Sequence, residues 1–430
     1  MKKILFINPP VVCVNECQKG WYSFAHPTSI LKLIAWQRQL GHDVAFIDCM
    51  DYDVRKSTPL QFYKVLPLGA NHLNLYIDTF ILGHSMEWLR QELQKRDAPD
   101  EVWVSCHMTF NGEVAHQTIQ TVRTVFPEAF ILFGGNYPTL FPELARQKSG
   151  TAINIGSIPE VSTLFPDYSL FTGSMDYIVF QLDLGCDNNC SHCVNSKLLK
   201  EIVRFDTHAL VDDLKQKKEL YGVDKFINID PNVAKYDLAD FLRICVQEKL
   251  NADLFFYGGI QPDKVTLELA ELMMEANVKG ITLPRELEIA DNTRLHKTYS
   301  PKSFYEAITI FQKTGFDLSD FHCSFPVGFK DDDLIDIASI IKEINDLGAI
   351  PEIAPVAFIP DTPEYNRHYS LLKGKSLEEL NWALWPALDS KEQIFTHALV
   401  YNAAHGNKFK KPWDLSHCSL GISTTTKDMN

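Results

Sequence analysis

Cys186, Cys190 and Cys193 stand in the run Gln181-Leu-Asp-Leu-Gly-Cys-Asp-Asn-Asn-Cys-Ser-His-Cys-Val-Asn195, spaced C-x3-C-x2-C directly after a strand-like stretch. Three thiolates can hold three irons of a 4Fe-4S cluster and leave the fourth iron open. A cluster held by protein alone takes four cysteines, and a closed structural zinc site takes four ligands. A tight set of three therefore points to an exogenous ligand, a substrate or a cofactor. A zinc site would have to recruit His192 or a distant cysteine, and the chain has no second C-x2-C and no H-x3-H. Asp187, Asn188, Asn189 and Ser191 make the loop polar, so a chance cluster of core thiols does not account for it.

The elements that must position this loop occupy a chain of 430 residues, long enough for several domains of about 100–200 residues each. A hydrophobic content of 45% with 22% charged residues is that of an ordinary globular protein, and a net charge of −14 argues against a broad nucleic-acid surface. The opening Met-Lys-Lys-Ile-Leu-Phe-Ile-Asn-Pro-Pro has an apolar run too short for a secretory signal. No apolar stretch reaches the roughly 20 residues that span a bilayer, so the expectation is a cytoplasmic protein without membrane segments. Cys13, Cys17, Cys49, Cys106, Cys245, Cys323 and Cys418 read as ordinary thiols of a reducing compartment, which a labile cluster also requires.

Short aliphatic runs alternate with helical patterns through residues 1–158. Strands are expected at Lys3–Asn8, Asp43–Asp48, Glu101–Cys106 and Ala129–Phe133, and helices at Ser29–Leu40, Ser85–Lys95, Gly112–Phe126 and Leu140–Lys148. Met50–Gly83 reads as an irregular insertion. This alternation predicts a Rossmann-like, doubly wound parallel sheet, which binds ligands beyond the carboxyl ends of its strands. Residues 159–175 carry Pro159, Pro166 and Gly173 and read as a linker. Residues 176–358 then give six strand-helix units with strands at Tyr177–Leu184, Asp224–Ile229, Asp253–Tyr257, Val278–Leu283, Leu318–Phe325 and Ile350–Phe358. Their helices begin near Thr207, Tyr236, Asp263, Pro301 and Asp331. Residues 359–430 form a carboxyl-terminal extension, helical over Leu377–Trp385 and Gln393–Ala403, with a polar tail from about Ser416 that reads as disordered.

The cysteine spacing after a first strand, together with six strand-helix units, resembles the radical S-adenosylmethionine (SAM) superfamily. His192 occupies the position where that superfamily usually carries an aromatic residue. Asn8-Pro9-Pro10, Pro27-Thr-Ser-Ile-Leu-Lys-Leu-Ile-Ala-Trp36, Gly41-His-Asp-Val44 and Phe133-Gly-Gly-Asn-Tyr-Pro-Thr139 resemble the cobalamin-binding domain that precedes many of its cores. The Asp-x-His-x-x-Gly motif of other cobalamin proteins is absent, and Gly156-Ser-Ile-Pro-Glu160 replaces a more acidic turn. The resemblance implies a mixed α/β architecture, a Rossmann-like sheet followed by a partial (β/α)6 barrel and a short, mainly helical carboxyl-terminal segment.

It also implies cofactors: a 4Fe-4S cluster on Cys186, Cys190 and Cys193, S-adenosylmethionine on its open iron, and cobalamin in the amino-terminal sheet. Residues implied near the corrin are Ser105, His107, Thr109, Gly134, Gly135 and Asn136, with a hydrogen-bonded loop histidine as the plain alternative for His107. Residues implied near S-adenosylmethionine are His192, Asp230, Arg285, Glu286 and Glu288. For Asp230 the alternative is a helix N-cap before Pro231, and for Arg285 a surface ion pair. In Ile359-Pro-Asp-Thr-Pro-Glu364, Asp361 replaces a common glycine and is either a turn residue or a substrate contact. The implied activity is reductive cleavage of S-adenosylmethionine to generate a carbon-centred radical, used for cobalamin-dependent methylation of an unactivated carbon or phosphorus centre of a small molecule. Flavodoxin or ferredoxin is the implied electron donor. A cobalamin-independent rearrangement, ring contraction or 3-amino-3-carboxypropyl transfer is the alternative, and a non-catalytic iron–sulfur or zinc scaffold is the alternative of another class.

Overall fold

A computed structural model describes residues 1–13, 26–51, 63–70, 75–172, 175–186, 188–199, 201–233, 238–285, 300–329, 334–390, 393 and 397. The chain divides into two compact units, Met1–Ser174 with Leu372–Pro386 and Trp413–Asn430, and Met175–Leu371 with Ala387–Pro412.

In the first unit, β1 (Lys3–Asn8), β3 (Asp43–Asp48), β6 (Glu101–Ser105), β7 (Phe130–Gly134) and β8 (Ala152–Ile153) form a parallel sheet in the order β3-β1-β6-β7-β8. Strands covered on both faces read as unbroken apolar runs, and Ile4, Leu5, Phe6 and Ile7 are each at most 2% exposed. Helices α1 (Thr28–Gln39), α2 (Met86–Gln94), α3 (Gly112–Val125), α4 (Asn136–Leu140) and α5 (Pro142–Ser149) alternate with the strands. The stretch expected to be irregular contains β4 (Tyr63–Ala70) and β5 (Leu75–Leu82), which form an antiparallel sheet with β2 (Val11–Cys13) in the order β2-β5-β4. Pro67 hid it. Proline breaks a strand pattern, yet it is tolerated at a bulge in an edge strand, and the register of β4 shifts between Val65 and Leu68.

The second unit has six parallel strands in sequential spatial order: β9 (Ile178–Phe180), β12 (Lys225–Asn228), β13 (Asp253–Phe256), β14 (Val278–Pro284), β15 (Phe321–Val327) and β16 (Ile350–Pro355). Sequential parallel order with a helix after most strands is that of an incomplete (β/α) barrel. The helices are α6 (Asn195–Leu198), α7 (Thr207–Tyr221), α8 (Leu238–Gln247), α9 (Leu267–Glu275), α10 (Pro301–Lys313), α11 (Leu334–Asp346) and α12 (Pro363–Arg367). Asp206 caps α7 by accepting the Ala209 N–H at 2.9 Å.

The expected strand Tyr177–Leu184 is broken. After Phe180 the chain leaves the large sheet, and β10 (Asp183–Leu184) pairs antiparallel with β11 (Val203–Arg204). The expected helix at Leu377–Trp385 is also replaced, by turns and a 3-10 turn at Trp382–Leu384. Leu380, Trp382, Leu384 and Trp385 are all at most 7% exposed, and one amphipathic helix cannot bury residues on every side. Most of Gln393–Ala403 and the whole tail from Ser416 lie outside the described residues. No helix among the described residues is long and apolar enough to cross a membrane.

Candidate active site

Cys186, Cys190 and Cys193 follow β9 at the carboxyl edge of the six-stranded sheet, and each is half-buried. The other two described thiols of this unit are core groups. Cys245 on α8 is 4% exposed and Cys323 on β15 is 0% exposed. Burial pushes the Cys245 thiol up to about 12, so it stays protonated and a poor ligand. Asn195 donates its N–H to Cys193 Sγ at 3.4 Å, the type of contact that tunes a ligating sulfur. The donor set suits a cluster that spreads its thiolates over separate irons.

The loop is tied down from a segment far along the chain. Ser191 donates from Oγ to Glu364 Oε1 at 3.1 Å across 173 residues, and the Glu364 N–H returns a bond to the Ser191 carbonyl at 3.2 Å. Glu364 is 1% exposed and lies 3.7 Å from His368 Nδ1 and from Arg367 Nε. A second tether runs from Lys197 Nζ to the Asp361 carbonyl at 2.7 Å. Asp361 has φ +67°, a conformation that suits the glycine it replaces and supports the turn reading. His192 packs edge-on to Phe329 at 6.5 Å, and Phe329 in turn meets Phe358 and His368. Nothing in the sequence marks Glu364 as the partner of this loop, because the contact exists only after the sixth strand has come round to the first.

Asp230 follows β12 and is fully buried. Its Oδ2 accepts the Leu182 N–H at 2.7 Å, the Asp183 N–H at 3.4 Å and the Asn228 amide at 2.8 Å. These bonds explain the break after β9, since backbone donors that would extend the ladder are taken by a carboxylate. Among the described residues its Oδ1 has no hydrogen-bond partner. Burial, opposed by those hydrogen bonds and reinforced by nearby Asp183, pushes the carboxyl up to about 7. The residue is therefore not the N-cap of a following helix. Its side chain serves the strand that leads into the cysteines.

Arg285, just past β14, is 2% exposed, so it is not the surface ion pair that the sequence also allowed. It donates from Nη2 to Tyr305 Oη at 2.8 Å, lies 3.8 Å from Glu343 Oε2, and sits 5.3 Å from the centre of the Tyr305 ring. Tyr305 is on α10 and Glu343 on α11, so the guanidinium meets both of these helices. Glu286 and Glu288 lie outside the described residues.

In the first unit the residues expected near a corrin share one edge. Ser105 ends β6 and pairs with Gly134 at the end of β7, and His107 Nδ1 lies 3.3 Å from Asn136 Nδ2. Gly135 has φ +105°, and a Cβ there would stand 2.5 Å from the Cys106 carbonyl oxygen, so the turn requires glycine. His107 is exposed, whereas Thr109 is 6% exposed and opens the short turn before α3. The edge thus offers an imidazole and an amide to a ligand, with Gly135 allowing the two loops to meet.

No family model matches the sequence, and no curated protein matches it. Among solved structures, the radical S-adenosylmethionine methyltransferase TsrM from Kitasatospora setae with tryptophan substrate and an S-adenosylmethionine analogue bound matches with a TM-score of 0.62 at 13% identity. That match covers 87% of this chain and 77% of the other, a share that neither unit could supply alone. TsrM from the same organism with cobalamin and a [4Fe-4S] cluster bound matches with a TM-score of 0.58 at 13% identity, over 87% of this chain and 79% of that one. Across both of its units, this chain has the fold of the radical S-adenosylmethionine enzymes.

Proposed function

We propose that the protein is a radical S-adenosylmethionine enzyme, and more specifically a cobalamin-dependent methyltransferase of a small molecule. The observation that carries this reading is the loop of three half-buried thiols at the carboxyl edge of a sheet whose other described thiols are locked in its core. Cys186, Cys190 and Cys193 would hold the cluster, and the count of three leaves a position for S-adenosylmethionine. His107 and Asn136, with Ser105, Gly134 and Gly135 behind them, would meet a corrin at the edge of the first sheet. When bound, these groups supply a one-electron route to hydrogen abstraction from an unactivated carbon and a carrier for a methyl group.

The chain's own residues orient and insulate. Glu364 and Ser191 fix the loop between the second and third cysteines, and Asp230 fixes the backbone before the first. Phe329 packs edge-on against His192 and is backed by Phe358 and His368, each of the three at most 4% exposed. The solved structures support the reading, since TsrM is a methyltransferase with the same fold and is seen with cobalamin, a [4Fe-4S] cluster and an S-adenosylmethionine analogue. A cytoplasmic location and a flavodoxin or ferredoxin as electron source belong to the same proposal.

Anaerobic reconstitution with iron, sulfide and hydroxocobalamin, followed by analysis for iron, cobalt and zinc, tests it. The expected result is about four irons and stoichiometric cobalt, with 5′-deoxyadenosine released on adding S-adenosylmethionine and dithionite. Stoichiometric zinc, or an iron-loaded protein that leaves S-adenosylmethionine intact, would overturn the radical reading. Iron without cobalt would overturn only the methyltransferase.

A further inference from the structure

Residues Leu372–Pro386 follow the second unit along the chain yet pack into the first. Leu377 is partly buried against the core cluster that holds Cys106, Phe133 and Tyr137. Burial raises the Cys106 thiol and the Tyr137 phenol well above their ordinary ranges, and the Glu378 carboxylate pushes both the same way. Cys106 stands between Ser105 and His107, and Tyr137 directly follows Asn136. The segment therefore rests on the two turns that form the carboxyl edge of the first sheet.

Its backbone is at odds with its sequence. Ser376 donates its N–H to Glu379 Oε2 at 2.8 Å, and the Glu379 N–H returns a bond to Ser376 Oγ at 3.3 Å. These reciprocal bonds form a capping box, the device that starts a helix. One helical bond follows, from the Leu380 N–H to the Ser376 carbonyl at 3.2 Å, and then Asn381, Leu384 and Trp385 each bond three residues back. Trp385 has φ +51°, a left-handed backbone that a bulky side chain rarely takes and that stores strain. Burial of Leu380, Trp382, Leu384 and Trp385 holds this form against the helix that the cap would start. A segment whose local preference and tertiary contacts disagree is among the first parts of a fold to open.

We infer that Leu372–Pro386 is a lid on the carboxyl edge of the first sheet, which opens as a unit while the sheet beneath stays folded and so lets a ligand enter or leave that edge. Leu377 is its latch. Only the identity of the ligand that the lid admits rests on the cobalamin reading, which cobalt analysis tests separately, so either idea can fail alone.

Pulse labelling of the full chain with iodoacetamide, read at each thiol by peptide mass analysis, tests the lid. Opening removes both the burial and the carboxylate that keep the Cys106 thiol protonated, so its alkylation reports the open form. Cys106 should label at least about tenfold faster than Cys49 and Cys323, which are 0% exposed, and at a rate nearly independent of urea below the unfolding transition. Leu377→Asp should raise the Cys106 rate by about another tenfold and leave Cys49 and Cys323 unchanged. Labelling of Cys106 at the rate and urea dependence of Cys49, or a folded Leu377→Asp protein that labels like the parent, would overturn the lid. The comparison among thiols needs no variant, so a misfolded substitution does not block it.

Discussion

The cysteine loop of the second unit and the His107–Asn136 edge of the first occupy equivalent places, each at the carboxyl ends of parallel strands, yet they are held in different ways. The cysteine loop is fixed by buried carboxyl groups. Glu364 grips Ser191, and Asp230 grips Leu182 and Asp183, with both carboxylates at most 1% exposed. The other edge is fixed by backbone, through a glycine turn that lets Gly135 close on Cys106, and it presents an exposed imidazole with one amide neighbour. Buried carboxylates are costly unless fully bonded, so they enforce one geometry. A loop whose three sulfurs must meet one rigid inorganic body needs that enforcement. An edge that lies against a large organic ligand needs room and a few polar contacts.

This contrast can be broken at three depths. The largest effect is expected at the ligands: Cys186→Ala, Cys190→Ala or Cys193→Ala should each abolish the visible absorbance of the reconstituted cluster, while Asn136→Ala leaves iron content unchanged. A cluster intact in all three cysteine variants would remove the assignment. Next comes the tether. Glu364→Ala should cost about 2–4 kcal/mol in chemical denaturation and hasten iron loss to a chelator, because Ser191, Arg367 and His368 lose a shared buried partner. Glu364→Gln, which keeps the Ser191 bond, should restore most of the iron retention. If alanine and glutamine retain iron like the parent, the loop is held by something else.

The smallest effect is a pH slope. Asp230 is raised from its ordinary range to about 7 in the folded protein. Between about pH 4 and 7 the unfolded chain has already lost this proton and the folded one has not, so this group's contribution to stability falls as pH rises across that window and is level above it. Asp230→Asn should flatten that part of the curve for the iron-free protein, measured by urea denaturation at several pH values. An unchanged slope would mean that the carboxyl is ionised in the fold.

Much of this was legible in the chain. The C-x3-C-x2-C spacing carries its chemistry within eight consecutive positions, from Cys186 to Cys193, and spacing survives any folding. Parallel strands buried on both faces need unbroken aliphatic runs, which is why Lys3–Asn8 and Asp43–Asp48 are found where the sequence put them. Pro67 and the apolar stretch around Trp382 misled because their local pattern was overruled, in one case by a bulge and in the other by burial on every side.

Tertiary structure alone decided which groups meet. Asp230 and Arg285 are polar residues at strand ends in the sequence, and nothing local distinguishes a side chain that faces a ligand from one that ties the fold. The fold turned Asp230 to the backbone before the cysteines and brought Arg285 against Tyr305 and Glu343. It brought Glu364 to Ser191 across 173 residues of chain. Thiol chemistry is a property of neighbours along the chain, so the sequence by itself determined it. Hydrogen bonds and ring contacts between strands depend on register and on which face a residue takes, and those are set only when the sheet has closed its pairs.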